Sequence, residues 1–177
     1  MYSYSEYRRF EEATDARHEF LDGDILAMAG DTPEHAALAA AVISALSACV
    51  SGKPCSAFSS DLRVRVKATG LATYPDASVV CGEVQRDPED ENAVTNPLVL
   101  VEVLSDSTAA YDAGDKFEHY RLIPELRAYL LVSQDERRIE LRSRDDEGTW
   151  HVRTAGRGQS LGLDAIGMTL SVDAIYD

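Results

Sequence analysis

Glu102 is the residue whose surroundings most demand a chemical explanation. It is the lone carboxylate in Leu98-Val99-Leu100-Val101-Glu102-Val103-Leu104, a run that is otherwise apolar. Burying an ionised carboxylate costs several kcal/mol unless it is paired, hydrogen-bonded or bound to a metal. The bland alternative is a strand-end carboxylate tied to a neighbouring arginine or to backbone amides. Asp76 follows Pro75 at the entrance to Ala77-Ser78-Val79-Val80-Cys81. Pro-Asp alone is a common turn dipeptide, so the value of Asp76 is positional. If its strand neighbours that of Glu102, both carboxylates converge at one end of a sheet. Two carboxylates and a backbone carbonyl then form a hard-oxygen set suited to Mg²⁺. Closeness of the pair would raise the pKa of one member.

Lys116 falls one helical turn after Asp112. The pair reads either as a surface i,i+4 ion pair or as a cation aimed at the carboxylates. Glu19, in His18-Glu19-Phe20, reads on its own as a solvated strand residue. His35 sits in a first helical turn, where it caps or packs. It has no partners at zinc-ligand spacing apart from Glu34. Arg63, Arg65 and Lys67 alternate with Leu62, Val64 and Val66, giving a strand with one basic face. That face and the stripe Arg138, Arg142, Arg144 are the local positive patches, hence the candidates for phosphate contact. GxGxxG, Walker A, HExxH and GxSxG motifs are absent.

The elements that must position these residues form a mixed pattern. Ser3 or Ser5 caps a helix reaching to about Ala16. Asp22-Gly23 between short apolar runs predicts a two-residue hairpin. Thr32-Pro33 opens an alanine-rich helix to about Val50. Strands follow at 62–67, 77–81 and 98–104, with Glu83 to Asn92 as an acidic surface loop. A helix from about Tyr111 to Leu122 precedes strands at 128–132 and 138–142, the latter pairing with 150–152. This order predicts an α/β (α+β) domain built round one sheet, a single domain over residues 1–177.

Net charge is −14, from 17 Lys plus Arg against 31 Asp plus Glu, which argues against a non-specific nucleic-acid coat protein. A nuclease remains compatible, since carboxylates can hold a divalent cation. Cys49, Cys55 and Cys81 lack CxxC spacing and read as buried thiols of a reducing compartment, hence a cytoplasmic protein. No apolar run approaching spanning length is evident, so no membrane association is expected.

Together these residues resemble the PD-(D/E)XK nuclease superfamily. Its marks are Pro75-Asp76, then Glu102-Val103-Leu104-Ser105, then Lys116 and Tyr120 on the next helix. Within it, the closer resemblance is to the bacterial Uma-two type of restriction endonuclease. Glu19 to Ile25, Pro33-Glu34-His35, Ser60 to Val64 and Tyr129 to Val132 also fit that pattern. The resemblance implies a restriction-endonuclease-like mixed β-sheet flanked by helices, with an N-terminal helix and β-hairpin. It implies metal-dependent DNA cleavage, with Asp76 and Glu102 holding Mg²⁺ (or Mn²⁺). The lysine expected two residues beyond the acidic residue is Leu104 here, and in the Uma-two type a helical lysine, Lys116, substitutes. Glu19 is then a third catalytic carboxylate, and His35, Arg63, Arg65 and Tyr120 are candidates for substrate contact. A homodimer is expected, since one acidic unit offers little surface for gripping DNA. The rival expectation is a non-catalytic nucleic-acid-binding or regulatory protein that kept the fold.

Overall fold

The computed structural model describes residues 1–28 and 32–177. The chain opens with α1 (Tyr4–Glu12), β1 (His18–Leu21), β2 (Asp24–Ala27) and α2 (Pro33–Val50). Next come β3 (Cys55–Ser59), β4 (Arg63–Arg65), β5 (Ala72–Thr73), β6 (Ala77–Cys81), β7 (Arg86–Asp87), β8 (Asp90–Val94) and β9 (Val99–Leu104). Two short helices, α3 (Ala109–Ala113) and α4 (Asp115–Tyr120), lead to β10 (Ala128–Ser133), β11 (Arg138–Arg144) and β12 (Trp150–Gly156). The chain closes with β13 (Ser160–Leu163), β14 (Met168–Ser171) and α5 (Val172–Tyr176).

Local chemistry explains the starts of the helices. Ser3 and Glu6 form a reciprocal capping box on α1. Thr32 accepts from His35 N–H at the start of α2, with Pro33 at the first helical position. Asp22 and Gly23 both take positive φ, 52° and 87°, as a two-residue hairpin turn with matching twist requires.

The strands divide between two six-stranded sheets and a two-stranded ribbon, correcting the expectation of one sheet. The first sheet runs β2-β1-β5-β4-β8-β7 and the second β12-β11-β10-β9-β6-β3. β9 and β10 lie parallel at the centre of the second sheet. Apolar side chains cover both of its faces. Leu38, Val42, Leu46 and Val50 of α2 pack on Val99, Val101 and Val103 of one face. Phe117 and Tyr120 of α4 pack with Leu100, Tyr129 and Leu131 on the other. That is why β9 reads as a continuous apolar run.

Four further expectations are corrected. Glu83 to Asn92 is not simply a loop, because it contains the β7–β8 hairpin and buries Asp90. The helix expected from Tyr111 to Leu122 is broken into α3 and α4 at Gly114. α2 is long and apolar enough, by length and composition, to cross a membrane, although no such run was expected. Its alanines and serines hid that length in the sequence, and in the fold one stripe of it lies on the second sheet. Finally, Cys55 and Cys81 are joined by a disulfide, because β3 and β6 pair antiparallel with these two residues opposite each other. The thiol argument for a reducing compartment therefore loses two of its cysteines, and Cys49 stays free.

Candidate active site

Strand register creates the site. β6 and β9 are antiparallel with Ala77 opposite Val101, so the next pair along is Asp76 opposite Glu102, on the same face. Asp76 sits where β6 begins and is anchored by accepting from Val103 N–H at 2.7 Å. The two carboxylates therefore meet at the carboxyl end of β9, where the chain leaves for α3.

Lys116 reaches the same place from α4. Its Nζ lies 2.9 Å from Glu19 Oε1, 3.0 Å from Glu102 Oε1 and 3.3 Å from Asp112 Oδ1. The residue is only 3% exposed, so this is a buried ion cluster and not a surface pair. Asp112 and Lys116 stay in contact across the break at Gly114. Glu19 comes from β1 in the other sheet and also accepts from the Thr73 hydroxyl on β5. Two sheets thus contribute to one cluster.

His35, in the first turn of α2, approaches from the opposite side. Its Nε2 lies 3.0 Å from Val103 O and 3.4 Å from Asp76 Oδ2. A carbonyl can only accept, so Nε2 carries a proton. Glu19, His35, Asp76, Glu102, Asp112 and Lys116 all line a cavity of about 620 Å³, with Leu26 and Met28 forming part of its apolar wall.

Burial pushes the Glu102 carboxyl up to about 8; Lys116 opposes this, while Asp76 and Asp112 add to it. Burial therefore outweighs the mutual repulsion expected from sequence. Burial also pulls the Lys116 ammonium down, but Glu102, Tyr120, Glu19 and Asp112 hold it well above the usual lysine range. Lys116 remains charged at neutral pH. Asp112 is raised by burial against the pull of Lys116.

Three candidate substrate contacts lie elsewhere. Arg63 is buried in the first sheet, bonded to Asp90 and donating to Tyr74 Oη at 2.8 Å. Arg65 lies 3.6 Å from the centre of the Tyr4 ring and donates to Gly70 O. Of the basic face expected on this strand, Arg63 and Arg65 therefore pack on aromatic rings, while Lys67 is exposed. Tyr120 is fully buried behind Glu102, donates to its Oε1 at 2.7 Å and does not line the cavity. Asp112 was visible only as a spacing partner of Lys116. Its burial in the cluster depends on α3 folding back over β9 and β10, where Tyr129 Oη donates to Asp112 O at 2.9 Å.

A mixed sheet flanked by helices, with paired carboxylates at its strand ends and a lysine supplied by a flanking helix, defines a restriction-endonuclease-like protein. The chain belongs to the Uma2 family, whose model carries the description "Putative restriction endonuclease" and matches residues 4–173. It is 37% identical over 174 residues to "Uncharacterized protein slr1290" of Synechocystis sp. (strain ATCC 27184 / PCC 6803 / Kazusa), covering 98% of this chain and 90% of that one. It is 33% identical over 146 residues to "Uncharacterized protein sll1609" of the same strain, covering 82% of each chain. Its fold matches the crystal structure of "a putative nuclease belonging to DUF820" from Anabaena variabilis ATCC 29413 with a TM-score of 0.75. That match is 18% identical and covers 92% of this chain and 91% of that one.

Proposed function

We propose that this protein hydrolyses phosphodiester bonds of DNA in the cleft between its two large sheets. The observation that carries the reading is the Lys116 ammonium. It is buried among Glu19, Glu102 and Asp112, beside Asp76, at the wall of an open cavity.

Among the described residues, no three His, Cys, Asp or Glu side chains are gathered as a metal cage. Mg²⁺ does not need one. It commonly keeps several waters and takes one or two carboxylates. The donor set fits: Asp76, Glu102 and the Val103 carbonyl are hard oxygens at one strand end, and both acidic residues line the cavity. These groups would hold Mg²⁺ (or Mn²⁺), which when bound supplies Lewis-acid polarisation of the phosphate and a more acidic water.

The chain's own residues supply the rest. Lys116 holds a fixed positive charge where the phosphorane gains negative charge. Glu19, fixed by Thr73 and Lys116, orients the attacking water. Water oxygen adds to phosphorus and loses one proton, the bond to the leaving oxygen breaks, and that oxygen takes up one proton, so none is gained or lost overall. Tyr120 holds Glu102 in place. His35 fixes the Val103 carbonyl and Asp76 together on the far wall. A two-fold pair completes the proposal, since the acidic single chain presents few cations to a duplex, and sedimentation at micromolar concentration tests it.

The test is cleavage of supercoiled plasmid, a single strand and an RNA with Mg²⁺ or Mn²⁺, set against EDTA and Glu102→Gln. Cleavage of the DNA that both EDTA and the substitution abolish supports the reading. No cleavage under any metal, or cleavage that survives Glu102→Gln, refutes it.

A further inference from the structure

The second cavity, of about 490 Å³, lies at the other end of the central strands. Ala128, where β10 begins, lines it, whereas the cleft gathers at the carboxyl end of β9, which runs parallel to β10. The two cavities share no lining residue. Arg127, Arg144 and Arg153 contribute to its wall in a chain of net charge −14.

These arginines differ from the others on the same strands. Arg138 and Arg142 of β11 are both paired with Glu140. Arg127, Arg144 and Arg153 form no ion pair with a carboxylate among the described residues, and bond only backbone carbonyls. Arg127 donates to Asp145 O at 3.1 Å and Arg153 to Gly162 O at 2.8 Å, and both acceptor residues line the cavity. The heads of these two guanidiniums are therefore held at the cavity wall, with most of each planar fork of N–H donors still available.

The acidic residues of the wall form no ion pair with them. The Asp145 carboxylate is occupied by Glu147 N–H, Thr149 N–H and His151 Nε2, the last at 2.7 Å. Asp164 also lines the cavity but pairs with none of the three. Two held guanidinium forks suit a phosphate group.

We propose that this cavity is a phosphate-binding site, separate from the cleft, for a ligand of nucleotide size or a single nucleotide unit of a strand. Arg127 and Arg153 grip the phosphate. The site needs no divalent cation.

The test is calorimetric titration in EDTA with inorganic phosphate, AMP and a short single-stranded oligonucleotide, on the full chain. NMR of the His151 ring reports on the location. Saturable binding of at least one probe is expected, with a perturbed His151 signal and affinity that falls as salt rises. Arg127→Ala and Arg153→Ala should each weaken it about tenfold, the loss of one charge-assisted hydrogen bond. Glu102→Gln should leave it unchanged. Binding of AMP or phosphate identifies a free ligand, and binding of the oligonucleotide alone identifies a strand backbone. Absence of saturable binding, or binding that folded Arg127→Ala and Arg153→Ala retain in full, overturns the proposal. Neither result bears on whether the cleft cuts DNA.

Discussion

The protein buries two clusters of charge, and they are built on opposite principles. In the first sheet Arg63 bonds Asp90 and Tyr74, Tyr4 donates to Asp90 at 2.7 Å, and Tyr74 donates to Glu11 at 2.9 Å. His18 meets the other Glu11 oxygen at 2.9 Å. Asp90 there faces two guanidiniums, those of Arg63 and Arg8, and the cluster lines neither cavity. At the cleft a single ammonium, Lys116, faces Glu19, Glu102 and Asp112, with Asp76 beside them. Negative charge is in surplus, and the surplus opens on a cavity. Balanced buried charge locks α1 to the first sheet. Unbalanced buried charge is a cost to the fold, and a bound cation would relieve it.

Removing the central cation of each cluster breaks the comparison most severely. Lys116→Met and Arg63→Met should each destabilise the fold by about 3–5 kcal/mol, because each leaves carboxylates buried without their partner. Denaturant melts measure this. The two should then diverge in activity. At a temperature where both are folded, Lys116→Met should lower turnover by about 10²-fold or more, as for loss of one electrostatic donor. Arg63→Met should cleave at close to the parent rate. Equal loss in both variants would mean that the first-sheet cluster also serves the reaction.

Glu102→Gln sharpens the contrast from the other side. It removes a carboxyl whose ionisation burial disfavours, without removing volume. The metal-free protein should gain about 0.5–2 kcal/mol, the usual range when a strained functional residue is neutralised, while cleavage disappears. The matching change in the balanced cluster, Asp90→Asn, should destabilise, since it strands Arg63. Thermal melts of the two in EDTA should shift in opposite directions.

Tyr120→Phe tests whether the wall behind Glu102 only positions it. Loss of a hydrogen bond to a charged group costs about 1.5–3 kcal/mol. Turnover should drop several-fold with KM nearly unchanged, since Tyr120 does not line the cavity. A large rise in KM would restore the substrate contact that the sequence suggested.

How far the sequence reached depends on whether chemistry lay along the chain or across it. Glu102 was legible because an apolar run makes a lone carboxylate conspicuous. The hairpin at Asp22-Gly23 and the caps at Ser3 and Thr32 were legible because they obey local rules. Glu19 looked solvated because nothing local shows that β1 lies beside β5 and opposite α4. The basic alternation of Arg63 and Arg65 misled for the same reason: the aromatic rings that cover it arrive from α1 and β1. Cys55 and Cys81 became partners only through strand register. Gly114 gave no helical break in the sequence pattern, because Asp112, Lys116 and Tyr120 keep their spacing across it.

The smallest expected effect concerns α1, which carries Tyr4 and Glu11 into the balanced cluster. Ser3 accepts from Glu6 N–H, and Glu6 accepts from Ser3 N–H at 2.7 Å. Ser3→Ala should cost about 1 kcal/mol, the usual loss of an N-cap. The Ser3 backbone N–H, then the Ser3 hydroxyl, hold the Glu6 carboxyl below its ordinary value. A depressed carboxylate pKa stabilises the fold above the unfolded value, about 4.3, and this stabilisation fades as pH falls through the lower folded value. The parent's advantage over Ser3→Ala should therefore be full at neutral pH and shrink in acid. Hydrogen exchange should show the loosening in α1, where Tyr4 and Glu11 attach it to the balanced cluster. It should leave the amides of β9, at the cleft, unchanged. If the β9 amides also exchange faster, the two clusters are coupled through β1, and the separation between a structural and a functional charge cluster fails.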